Sequence, residues 1–214
     1  MDKSRLVTYF IVKDEERDFQ DCIDLLDNNS QPDYLQRNDH RLKLYGSVSG
    51  GLHSAQSPMV SELANAGTVV FSVPGHKYTS PDDGSEKLRT DLGFISRLYQ
   101  KINPIYVFGI NNWTIDGIEE GKQEYNIPAP VSDESLANNQ IEHPTWLMLF
   151  PPEMVEAYGR EWLLDLPAEH IEELDDGAIM VVATRDFPGC ESNMEIVELI
   201  DDAVTPLEGS FQTS

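Results

Sequence analysis

The stretch Tyr45-Gly46-Ser47-Val48-Ser49-Gly50-Gly51-Leu52-His53-Ser54 concentrates small residues, hydroxyls and an imidazole. A small-residue loop between a strand and a helix can turn backbone N–H groups toward an anion. Ser49, Gly50, Gly51 and His53 are therefore candidate ligand-binding or partner-binding residues. No Gly-Lys-Ser/Thr follows, so the stretch is not a P-loop, and its glycines do not form the dinucleotide pattern. Ser49, His53 and Asp39 have the residue types of a nucleophilic triad, but no Gly-x-Ser-x-Gly elbow accompanies them. A plain flexible turn explains the same residues without chemistry.

His40, His53, His76, His143 and His170 never stand three or four apart, and none lies beside a cysteine, so a metal site would need distant segments to converge. Cys22 falls on the apolar face of a helix and Cys190 in a Pro-Gly loop, which is neither a disulfide framework nor a zinc site. Carboxylate pairs such as Glu172-Glu173, Asp175-Asp176 and Asp201-Asp202 could hold Mg²⁺, yet at this acid density such pairs arise by chance. No catalytic residue, metal ligand or cofactor is assigned. Trp113 differs from Trp146 and Trp162, which read as core: it stands in a polar Asn-Asn-Trp-Thr loop, where an exposed indole would anchor a partner.

The charge bounds the partners. Thirty-eight Asp and Glu face 15 Lys and Arg, a formal net charge of −23 on 214 residues. Such a surface repels itself at low salt and stays hydrated in brine, as in a halophile's protein. Nucleic acid and anionic lipid are excluded as partners, because no basic cluster exists to release counterions. Arg37 and Arg41 with Lys43 come closest, and Asp39 interrupts them. The run from Leu6 to Val12 is too short for a signal or membrane segment and meets Lys13-Asp14-Glu15-Glu16 at once. No other run approaches membrane-spanning length, so the expected location is cytoplasmic.

These candidates must be positioned by a mixed set of elements. Val7 to Val12 reads as a strand covered on both faces. Phe19, Cys22, Ile23 and Leu26 recur at helical spacing after it, until Asn28-Asn29-Ser30 and Pro32. Arg41 to Val48 alternates as a strand that the Gly50-Gly51 loop ends, and Ser57-Pro58 opens a short helix. Thr68 to Val73 is a strand, and Leu88, Leu92, Ile95, Leu98 or Tyr99, and Ile102 line the longest helix. Ile105 to Ile110 closes a ferredoxin-like βαββαβ order over residues 1–110. Residues 111–144 lack periodicity and read as an irregular connection. From 145 to 214 the order is βαββα: strand Thr145 to Phe150, a helix from Pro152 interrupted at Gly159, two strands around the hairpin signal Asp176-Gly177, and a capping box at Ser192 opening a last helix. The expected fold is α+β, two ferredoxin-like βαββα(β) halves in a mainly antiparallel sheet with helices on one face.

Pro144-Thr145-Trp146-Leu147, Phe150-Pro151-Pro152-Glu153-Met154-Val155, Tyr158-Gly159-Arg160-Glu161 and Leu174-Asp175-Asp176-Gly177-Ala178 resemble a protein family of halophilic archaea, a resemblance covering most of the chain that implies no activity. The layout also resembles small α+β immunity proteins of bacterial polymorphic-toxin systems, including type VI secretion immunity families, whose members bind and block a cognate toxin. No motif transfers residue by residue. The leading expectation is a non-catalytic binding protein with another protein as partner. The alternatives are a small-ligand protein or enzyme using the loop 49–54, and an acidic mimic of nucleic acid.

Overall fold

Every residue from Leu6 to Val12 is buried in β1 (Arg5–Val12), so both faces of this strand are covered and its sequence shows no alternation. It lies inside a nine-stranded sheet whose neighbours all run antiparallel. The computed structural model describes residues 5–28, 32–54, 60, 63–78, 84–111 and 129–184. The remaining elements are α1 (Glu15–Asn28), β2 (Asp33–Asn38), β3 (Arg41–Tyr45), β4 (Gly50–Ser54), β5 (Gly67–Pro74), α2 (Gly84–Ile102) and β6 (Tyr106–Asn111). Then come α3 (Asp133–Ala137), β7 (Leu147–Phe150), α4 (Pro152–Tyr158), α5 (Arg160–Leu164), β8 (His170–Glu173) and β9 (Ile179–Val182). The strand order is β2-β3-β4-β5-β1-β6-β7-β9-β8, which makes this an α+β protein with a large antiparallel sheet.

The helical periodicities hold. Phe19, Cys22, Ile23 and Leu26 of α1 are buried, and α2 buries Leu88, Leu92, Ile95, Ile102 and both Leu98 and Tyr99. The Asp176-Gly177 signal makes the β8–β9 turn, where Gly177 takes φ 89° and Leu174 N–H donates to the Ala178 carbonyl at 2.8 Å. Sequence segments 145–150 and 105–110, expected in separate halves, pair directly as β7 and β6, with Val107 opposite Leu149. The expected helices at 57–64 and from Ser192 lie largely or wholly outside the described residues.

Three expectations are corrected. The first concerns the run 41–48, read as one strand ended by a glycine loop. It is β3, a turn over 46–49, and then β4, which contains Gly50, Gly51 and His53 as sheet residues between β3 and β5. Glycine suits this strand because the β5 backbone comes close: a Cβ on Gly50 would overlap the Ser72 carbonyl oxygen. Secondly, the connection 111–144 contains α3, opened by Ser132, whose hydroxyl accepts from Ser135 N–H at 3.1 Å while Ser135 Oγ accepts from Ser132 N–H at 2.8 Å.

Thirdly, the helices occupy both faces. Opposite residues of a ladder share a face, and successive residues alternate. Val69, Phe10, Val107 and Leu149 are paired in sequence across four strands, so they and Phe71 define one face, here the front. Phe94 of α2 packs edge-on to Phe71 at 5.2 Å, which puts α2 in front. Phe150, next to Leu149, points backward and meets Tyr158 of α4 at 5.5 Å. The connectivity explains this. β1 crosses over through α1 to the parallel β2 in one direction along the sheet, and β7, parallel to β1, crosses over through α4 and α5 to β8 in the other. Right-handed crossovers running opposite ways lie on opposite faces.

Candidate functional site

Ser49 ends the β3–β4 turn and is tied down rather than poised. Lys77 Nζ donates to the Ser49 carbonyl at 3.3 Å and to Ser49 Oγ in a short contact. Lys87 Nζ reaches the Ser47 carbonyl at 2.9 Å and Asp91 Oδ1 at 2.6 Å, and Tyr78 O–H donates to Asp91 Oδ2 at 2.8 Å. Asp91 is fully buried, so desolvation raises its pKa, with Lys87 opposing; burial likewise lowers that of Lys77. This network fastens the turn to α2. A buried, satisfied set of this kind fixes geometry, and the hydroxyl of Ser49 is already engaged. His53 lies on β4 opposite Arg41 and Val70, so Ser49 and His53 belong to different arrangements. Trp113 lies outside the described residues.

Gly51 and His53 point to the back face, as does a continuous row from Arg41 through His53, Val70, Tyr9, Phe108, Met148 and Val181 to Ile171. The row is closed at its centre, where Tyr9 and Phe108 are buried and stack at 4.8 Å. It is open at β2–β3–β4. There Arg41, Lys43 and Tyr45 are exposed while Leu42 and Leu44, pointing forward, are buried. Leu35 of β2 stands opposite Lys43, diagonal to Tyr45, and the Lys43 ammonium lies 5.1 Å from the Tyr45 ring centre. Leu35 at 46% and Tyr45 at 38% are the exposed large apolar side chains among the described residues. Between Lys43 and Ser72 the same face carries Gly51, which leaves bare backbone at the middle of the patch.

Three cations, Arg5, Arg41 and Lys43, share this face with one β2 carboxylate, Asp33, opposite Tyr45. His53 is half-buried, and its pKa is lowered to about 4 by burial, then by Arg41, then by Arg5. Arg5, at the start of β1, shares the back face with Tyr9 by strand alternation. Arg5, Arg41 and Lys43 form no ion pair, a property they share among the described residues with Lys13, Arg37, Arg89 and Arg97, whereas Arg160 is held by Glu173 and Lys101 by Asp21. Both sheet edges are defended against strand addition: β2 carries a register shift between Gln36 and Asn38, and β8 reads His-Ile-Glu-Glu. The open surface is therefore a face, not an edge.

Two clefts lie elsewhere, of about 580 Å³ where Lys13, Asp14 and Asp18 meet Asn103, Asp133 and Glu153, and about 600 Å³ between α1 and the β2–β3 turn. Neither is lined by residues 49–54. Among the described residues no three His, Cys, Asp or Glu converge as metal ligands, and no helix is long and apolar enough to cross a membrane. Leu35, Arg41, Lys43 and Tyr45 were not among the expected site residues. Their signal is the two-residue period of Arg41, Lys43 and Tyr45, which places them on one strand face while Asp39 falls in the turn.

Fold and face thus define an α+β protein with an extended antiparallel sheet and one open, cationic, partly apolar surface. No protein-family model matches the chain. Over 99 residues, 46% of its length, it is 30% identical to the mitochondrial protein cyt-4 of Neurospora crassa, and the matched stretch spans 8% of that protein. Its fold is similar to that of the Pseudomonas aeruginosa T6SS protein PA0821, with a TM-score of 0.56 over 95% of this chain and 76% of that one at 11% identity.

Proposed function

We propose that this chain is a non-catalytic binding protein that holds another protein against the open back face of β2–β3–β4, in the manner of an immunity-type partner. The carrying observation is the adjacency of Leu35 and Tyr45 on that face. Two large apolar side chains kept in water beside cations resemble the centre of a binding patch more than a solvated sheet surface. The similarity to a T6SS protein is one of fold, so the role rests on the face itself. The sheet supports a reading as two split βαβ units meeting at β6: β1 and β4 flank β5, β7 and β8 flank β9, and the β2–β3 hairpin is an addition to the first. On that reading the added hairpin carries the binding face.

Its test is co-purification from the source organism in molar KCl, with the wild-type chain and with Leu35→Ser/Tyr45→Ser. A stoichiometric protein held at least tenfold more tightly by the wild type supports the proposal. Equal recovery with both chains, or with neither, refutes it.

A further inference from the structure

We infer that the surface docking on this face is acidic, carrying carboxylates around an apolar side chain that seats over Gly51. The inference rests on the protein-binding role proposed above and adds the chemistry of the partner. Three observations converge on it. Arg5, Arg41 and Lys43 are gathered on one face of a chain with 38 acids and 15 cations; Asp33, opposite Tyr45, is the carboxylate that β2 adds to this face, and it forms no ion pair with them. Arg41 and Arg5 act on His53 with the sign of a basic environment. Gly51 opens the strand backbone between Lys43 and Ser72, with Leu35 and Tyr45 alongside to enclose an apolar side chain.

A second copy of this chain is the obvious acidic surface, but the geometry disfavours it. A two-fold contact would set Arg41 and Lys43 against themselves, and a contact with an acidic patch elsewhere on the copy would not close. Nucleic acid offers phosphates, yet its approach is opposed by the charge of −23 over the rest of the surface. A protein with a local carboxylate cluster meets the guanidinium of Arg41 in the bidentate geometry that persists at contact distance even in concentrated salt.

The probes are two synthetic twelve-residue peptides with a central Trp, one rich in Asp and Glu and one rich in Lys. A single-stranded DNA of twenty nucleotides is the third probe. Binding to the full chain is followed by fluorescence anisotropy in 0.15 M and 1 M KCl, with sedimentation reporting self-association. The acidic peptide binds at least tenfold more tightly than the Lys-rich one, against the net charge, and Arg41→Glu/Lys43→Glu removes that preference. Equal binding of the two peptides overturns the inference, as does DNA binding as tight as the acidic peptide, or a dimer that this double variant dissociates. The co-purified protein separates this inference from the reading beneath it. If it is lost with Leu35→Ser/Tyr45→Ser but kept by Arg41→Glu/Lys43→Glu, the face binds a partner whose chemistry is not acidic. If it is kept by both variants, the face itself is the wrong surface.

Discussion

Replacing His53 by Gln should flatten the acid side of the stability profile, because this imidazole is held neutral in the folded chain. Its pKa falls from 6.5 to about 4, through burial on β4 and the guanidiniums of Arg41 and Arg5. Between these two values the unfolded chain binds a proton that the folded chain does not. Stability from this group is therefore complete above pH 6.5 and is lost as pH falls toward 4. At about 1.4 kcal/mol per pH unit the shift corresponds to at most ~3.5 kcal/mol, and partial solvent contact at a half-buried site reduces this to ~1–2 kcal/mol. The assay is urea unfolding of wild type and His53→Gln at pH 7 and pH 4.5 in one fixed salt concentration. Other carboxylates titrate alike in both proteins, so the difference of differences isolates His53. The wild type should lose ~1–2 kcal/mol more than the variant on acidification. Parallel losses would refute the burial of a neutral His53 on β4 near Arg41 and Arg5. Arg41→Gln should raise the His53 pKa in an NMR titration.

Gly50→Ala should destabilise the chain by ~2 kcal/mol or more, since its Cβ meets the Ser72 carbonyl and forces β4 from β5; urea unfolding reads this directly. An unchanged midpoint would mean that the two backbones are not in close contact. With a net charge of −23, the melting temperature should rise by at least ~5 °C between about 0.1 M and 2 M KCl, equivalent to ~2 kcal/mol for a chain of this size. A melting temperature indifferent to KCl would contradict the reading of the acidic surface as an adaptation to salt.

The amino-acid sequence by itself determined the elements whose signals are local. Helix α2 followed from apolar residues at helical spacing, β1 from an unbroken apolar run, and the β8–β9 hairpin from Asp176-Gly177, because each depends on residues within a few positions of one another. Local signals failed at β4, where two glycines have the composition of a loop and only the approach of β5 makes them a strand. They failed also for the side on which each helix lies, which depends on strand order. The candidate site shows the same division. Sequence pattern marked Gly51 and His53 and noted the cations of 37–43, whereas the pairing register decided that Arg41, Lys43, Tyr45, Leu35 and Gly51 share one face. A slip of one residue would have turned Leu42 and Leu44 outward and buried the charges. That choice is made by burying Leu42 and Leu44 in a core assembled from distant segments, which no short stretch of sequence contains.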